Sequence, residues 1–116
     1  VKTFYKDHLV GKFFPLDVKF NRISLTIGKE QIVEELVICF THTQKIDWCL
    51  PNIEPTNKKV KMCVVVIAGI KDKKLTHEHI HWDQASVLVQ VGLLDPKKLP
   101  VVGDQSANKL LNFANS

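Results

Sequence analysis

The chain has no apolar stretch long enough to cross a membrane as a helix. Its longest apolar run, residues 64–70, falls far short of the ~20 residues such a helix needs. Three cysteines, Cys39, Cys49 and Cys63, cannot all pair within one chain, and none lies in a Cys-x-x-Cys arrangement. Reduced thiols in a cytoplasmic setting are the simplest reading, with Cys39 and Cys63 acting as small hydrophobes inside apolar runs. The first residues, Val1-Lys-Thr-Phe-Tyr, lack the charged start, apolar centre and small-residue cleavage site of a secretory signal, and they lack an initiator Met. A trimmed chain is expected from that start. Lysines are scattered in short runs near turns and give a net charge of +4 with no recognisable reader motif, so no nucleic-acid partner and no membrane partner are expected.

What is present fits one globular domain of 116 residues, 45% of them hydrophobic and 24% charged. Residues 3–11 carry Phe4, His8 and Leu9 at helical spacing with Gly11 as a stop, which reads as the tail of a helix. Residues 13–18 form a connector around an X-Pro step. Residues 31–43 are rich in β-branched and aromatic side chains and predict a long strand. Period-two alternation puts Ile32, Glu34, Leu36, Ile38, Phe40 and His42 on one face and Val33, Glu35, Val37, Cys39 and Thr41 on the other, so both faces should be covered. A turn-rich loop holding Trp48 follows. Residues 60–70 and 75–83 predict a hairpin closed by Lys71-Asp72-Lys73-Lys74. From Gln84, the spacing of Ala85, Leu88, Val89 and Gly92 predicts a short helix, although Val87, Val89 and Val91 also suit a strand. Ala107, Leu110 and Leu111 predict a closing amphipathic helix over residues 106–113.

The densest polar cluster is His77-Glu-His-Ile-His-Trp-Asp-Gln84. On a strand, His77, His79, His81 and Asp83 share one face, and Glu78, Ile80, Trp82 and Gln84 the other. Histidines two apart can converge on a metal, yet no strong second ligand pair accompanies them, so neither metal nor cofactor is expected. Surface histidines without a role are the plainer reading of His77 and His81. Asp83 and His79 form the natural acid/base pair, with His42 as a further imidazole; Asp83 equally suits the N-cap of the helix starting at Gln84. One of Glu34 and Glu35 must face inward or approach a sheet edge, and an inward carboxylate could line a pocket. Glu35 and Glu78 are the carboxylates taken as ligand-binding candidates. Trp48 and Trp82 could wall a ligand cavity or simply fill the core.

The segment Glu78-His-Ile-His-Trp-Asp83-Gln-Ala-Ser-Val-Leu-Val-Gln90-Val-Gly92-Leu-Leu resembles the closing strand and helix of SnoaL-like proteins, members of the nuclear-transport-factor-two-like, cystatin-like cone superfamily. Ile27-Gly28 through Glu34-Glu35-Leu36, and Phe40-Thr-His-Thr43 through Asp47-Trp48-Cys49-Leu50-Pro51, are similar to a subgroup carrying dienelactone hydrolase or carboxymethylenebutenolidase labels. The resemblance implies an α+β fold: a strongly bent, mainly antiparallel sheet wrapped on N-terminal helices around a conical cavity, with short helices at the C-terminus and a tendency to form homodimers. It also implies that residues 1–116 form a single such domain lacking its first helix. In SnoaL-like polyketide cyclases the matching aspartate serves as acid/base, which would give Asp83 that role on a carbonyl compound. Hydrolysis of the dienelactone type wants an activated nucleophile on an elbow turn, and no Gly-x-Ser-x-Gly occurs. Two functions follow: a small-molecule enzyme using Asp83, or a non-catalytic ligand-binding or dimeric interaction module with the same cavity.

Overall fold

The computed structural model describes residues 13–115, so the helix expected over residues 3–11 lies outside the described residues. Four strands, β1 (Lys19–Ile27), β2 (Gln31–Thr41), β3 (Lys59–Lys71) and β4 (Lys74–Trp82), precede two helices, α1 (Gln84–Gln90) and α2 (Gln105–Ala114). The strands form one sheet in chain order, and every neighbouring pair is antiparallel. The architecture is α+β, as the sequence predicts.

The long strand and the hairpin are where the β-branched runs place them. In the pairing of β2 with β3, Leu36 faces Val64, Ile38 faces Met62 and Phe40 faces Val60. All six side chains are buried on one face of the sheet, hereafter the inner face. Between β3 and β4 a two-residue turn carries positive φ at both Asp72 (54°) and Lys73 (65°). That pair of left-handed residues matches the twist of the strands it joins, which is why so short a turn closes the hairpin here.

Strand β1 was not foreseen. A register shift between Arg22 and Ser24 interrupts its pairing with β2, so Phe20 and Arg22 share the inner face with Leu25 rather than with Ser24. The break in parity scrambles the alternation that betrays a strand in sequence, and the strand stands at the sheet edge with much of its length exposed.

The inner face is roofed by the long connection between β2 and β3 together with α1. Ile46, Cys49 and Leu50 of the connection are fully buried, as are Val87 and Val91 at the helix. The connection is tied down at its root, where His42 N donates to Lys58 O (2.9 Å) and Asn57 N donates to His42 O (2.9 Å). The opposite, outer face is partly covered by α2: Val37 and Ala107 are buried, and Lys61 Nζ donates to Asn108 Oδ1 at 2.7 Å. Coverage of both faces of β2 was expected, and each face finds its own cover.

Helix α1 settles the ambiguity that its valines left open. Asp83 is the N-cap, its Oδ1 accepting from Ser86 N (3.1 Å) while Ser86 Oγ donates back to Asp83 O (3.0 Å). The helix stops at Gly92, whose φ of +85° is a left-handed stop that glycine adopts without strain. Between these ends the buried side chains are Ser86 and Val87, followed by Val91, and of the Ala85, Leu88 and Val89 spacing noticed in the sequence Leu88 packs, partly buried, against the core. Gln90 adds a clamp: its carboxamide accepts from Lys61 N (2.7 Å) and donates to Lys61 O (2.9 Å), mimicking a neighbouring strand.

Replacing Asp83 with Ala removes the cap and should cost ~1 kcal/mol, with Asp83→Ser recovering most of it. Urea unfolding followed by circular dichroism reads both variants, and an unchanged Asp83→Ala midpoint would rule out a contribution from the cap.

Candidate functional site

The parity of β4 sorts its polar cluster as the sequence predicts. Ala68 pairs with Glu78, Val66 with Ile80 and Val64 with Trp82, which puts these three β4 residues on the inner face and His77, His79 and His81 on the outer one. The His77 and His79 rings lie 5.0 Å apart between centroids. Among the described residues, no group of three or more His, Cys, Asp or Glu side chains is arranged to hold a metal ion.

On the inner side lies a pocket of about 370 Å³. Leu36 and Ile38 of β2, Val64 and Val66 of β3, and Glu78 and Ile80 of β4 form its sheet wall, with Phe20, Phe13, Phe14 and Trp48 closing the sides. Trp48 is held by a hydrogen bond from Nε1 to Phe13 O (2.9 Å) and meets Phe14 and Trp82 edge-on at centroid distances of 5.3 and 5.1 Å. Trp82 stands behind Trp48 and donates through Nε1 to Gln84 Oε1 (3.0 Å), and Gln84 Nε2 donates to Cys49 O (2.7 Å). Both indole N–H groups are therefore satisfied within the protein. What they leave facing the pocket from Trp48 is an aromatic wall.

Glu78 is the charged side chain that lines this pocket. Its Oε1 is buried without a hydrogen-bond partner. Burial, reinforced by the neighbouring Glu34 carboxylate, pushes its pKa above the ordinary glutamate value. Glu34 is 4% exposed; its Oε2 accepts from Arg22 Nε at 2.6 Å, while Oε1 is buried with no partner. Of the adjacent glutamates, the inward one is thus Glu34, sharing its face with Leu36, Ile38 and Phe40. Glu35, the one singled out from sequence, turns to the outer face. There its Oε1 accepts from Ser24 Oγ (3.1 Å), and it borders a shallow depression of about 280 Å³ with Cys63, His81, Asp83 and Leu110.

The three residues named as an acid/base set are separated. His79 points outward from β4. His42 is fully buried at the root of the connection, where Nδ1 accepts from Thr56 N (3.1 Å) and meets Thr56 Oγ1 at 3.0 Å. Accepting at Nδ1 assigns the ring proton to Nε2, which is buried without a partner; desolvation lowers the ring's pKa and keeps it neutral. Asp83 caps α1 at the rim of the outer depression. Neither the inner pocket nor the outer depression gathers the three. Arg22, which sequence reasoning passed over, meets Glu34, weighed there only as one of two adjacent glutamates, across β1 and β2. Arg22 lies on the strand that was not foreseen, and for Glu34 the alternation of β2 was the available signal.

All three thiols are free. Burial pushes the Cys49 thiol up to about 12 and raises Cys39 and Cys63 as well, so none is activated as a nucleophile.

No helix among the described residues is long and apolar enough to cross a membrane. No family model matches the chain, and no curated protein does. Solved structures do. TsrD from Streptomyces laurentii superposes with a TM-score of 0.60 at 17% identity, over 67% of this chain and 55% of its own. An inferred polyketide cyclase from Acidithiobacillus ferrooxidans gives a TM-score of 0.56 at 24% identity, over 68% of this chain and 52% of its own. AclR, an inferred hydroxylase from Streptomyces galilaeus, gives 0.61 at 18% identity, over 98% of this chain and 68% of its own. The chain thus spans about half the length of the first two. Nothing among these matches supports a dienelactone hydrolase. At such identities the likeness shows the fold alone, an α+β domain.

Proposed function

We propose that the domain binds a small organic ligand in the inner pocket, with the apolar body of the ligand against Trp48, Phe14 and Ile80 and its polar end at Glu78. The observation that carries this reading is the coincidence, in one pocket of about 370 Å³, of almost wholly apolar walls with a single acidic residue, Glu78, among the described residues that line it. Ligand pockets are built in this way, from apolar walls and a few placed polar groups. The matched structure of an inferred polyketide cyclase makes a small-molecule role reasonable for the fold, and the residues of this pocket support it for this chain. Homodimerisation through the sheet, as the resemblance implies, belongs to the same reading.

Proton transfer on a carbonyl compound is a second reading, and the raised pKa of Glu78 is what favours it. The role implied for Asp83 would then fall to Glu78, because Asp83 is engaged at the N-terminus of α1 and Glu78 is the carboxylate that lines the pocket. A ligand-binding domain without catalysis needs only the pocket.

Two measurements bear on these readings. The neutral fluorescent probe N-phenyl-1-naphthylamine should bind at one site per chain, and Ile80→Trp, at the pocket's exposed edge, should weaken it at least tenfold with an unchanged urea midpoint. Equal binding by the variant would place the probe elsewhere and sink the pocket reading. The second concerns pH. The folded-state pKa of Glu78 lies above the ordinary 4.5, so its ionisation costs the folded domain stability as pH rises from there through the raised value. Glu78→Gln abolishes that loss: the variant should be more stable than the parent at pH 8, and the gap should close towards pH 4 in thermal melts. A gap independent of pH would contradict the shift.

A further inference from the structure

We propose that His77 and His79 form a two-imidazole site for a divalent late transition ion, Zn2+ or Ni2+, on the outer face of β4 and so on the side of the sheet away from the inner pocket. The argument from structure begins at Gly69. This glycine interrupts the β-branched run of β3, and the residue opposite it on β4 is His77. The pairing then shifts: Ile70 faces Leu75, which leaves Thr76 as the extra residue of a bulge. A Cβ built on Gly69 would collide with both His77 Cε1 and Thr76 Oγ1, and the atoms nearest to it all belong to these two side chains. What the glycine makes room for is therefore the imidazole and the hydroxyl, side by side on the outer face. There Thr76 Oγ1 stands 3.0 Å from His77 Nδ1.

That contact prepares the ring as a ligand. With Nδ1–H donating to the hydroxyl, the open lone pair of His77 lies at Nε2, and a metal-binding imidazole is generally oriented by what its other nitrogen holds. The next outward side chain is His79, and the two ring centroids are 5.0 Å apart. Metal–nitrogen bonds of about 2.0–2.1 Å put each centroid roughly 3.2 Å from the ion, so two rings bound side by side on one ion lie about 4.5–5.2 Å apart. The observed spacing falls in that window, and turning the rings about their side-chain bonds brings both nitrogens onto a shared ion. Both histidines are exposed, and no third His, Cys, Asp or Glu joins them among the described residues, so water completes the coordination. Imidazole nitrogens favour late transition ions over Mg2+ and Ca2+, which take oxygen ligands.

The test is a titration of the untagged full chain with Zn2+, following the histidine ring protons by nuclear magnetic resonance, with calorimetry for Zn2+, Ni2+ and Mg2+ alongside. The His77 and His79 signals should move together and saturate at one ion per chain, with those of His42 and His81 unmoved and no binding of Mg2+. His77→Asn and His79→Asn should each weaken Zn2+ and Ni2+ by about tenfold or more, and Gly69→Ala should weaken them with both ligands still in place. Urea midpoints separate a lost ligand from lost folding, and the exposed His79→Asn should leave the midpoint as it is. His81→Asn, at the rim of the outer depression, should leave the affinity unchanged. If the two rings titrate separately, if His81→Asn costs as much as His79→Asn, or if the ions bind equally well without His77 and His79, the site is overturned. Unchanged affinity in Gly69→Ala would overturn the part given to the glycine and the bulge.

Discussion

Pairing Leu36 with Val64 and Ile38 with Met62 commits the two central strands to one register. Because side chains alternate with period two, a slip of one residue along either strand would turn its core residues to the outer face and bring Glu35 and Val37, or Cys63 and Val65, inward. The connection and α1 pack on what that register presents: Ile46, Leu50 and Val87 seat against the same row of β2 and β3 side chains. The register also fixes the pocket, since Leu36, Ile38, Val64 and Val66 are its sheet wall. Core and site are therefore two uses of a single row of residues, and the row ends at Glu34.

That ending is physically expensive. A carboxylate on a buried face loses water that one salt link does not fully replace, and the other lone pairs still want donors. Arg22 reaches Glu34 from the edge strand while its own side chain remains 36% exposed, so the cation keeps part of its hydration as it pairs. The shift of register in β1 falls just after Arg22, between Arg22 and Ser24. Bulges of this kind re-aim side chains, and here Arg22 and Leu25 both fall on the face that carries Glu34. An apolar residue at position 34 would extend the core without this strain.

Much of the fold was legible because it rests on local signals. The β-branched run of β2, the hairpin of β3 and β4, the capping aspartate and the stopping glycine of α1 all announce themselves within a few residues. What was hidden depended on partners distant in sequence. Strand β1 is short of periodic signal because of its irregular register, and only pairing with β2 reveals it. The choice between Glu34 and Glu35 was open in the sequence until the core face of β2 was identified by what packs on it. His42 drew notice as an imidazole, yet its position at the root of the connection, with Nδ1 accepting from Thr56 N, makes it a structural pin. Helix α1 shows the converse: its boundaries could be read, but its inward face is set by where the sheet stands.

The contrast between Asp83 and Glu78 carries a lesson about transferring roles between proteins that share a fold. Five residues separate them, and on a straight strand an odd spacing puts two side chains on opposite faces. Strand β4 ends at Trp82, and Asp83 turns instead to the first turn of α1, where its carboxylate accepts from Ser86 N. Glu78 has no such local partner, because it sits in mid-strand with its inner neighbours supplied by Ala68, Val66 and Ile80. A carboxylate beside a helix start has peptide N–H groups to accept from. One set among apolar side chains holds its charge poorly and gains most from whatever enters beside it. Where two acidic residues from one motif fall into these two environments, the helix cap accounts for the first, and the apolar surroundings account for the raised pKa of the second.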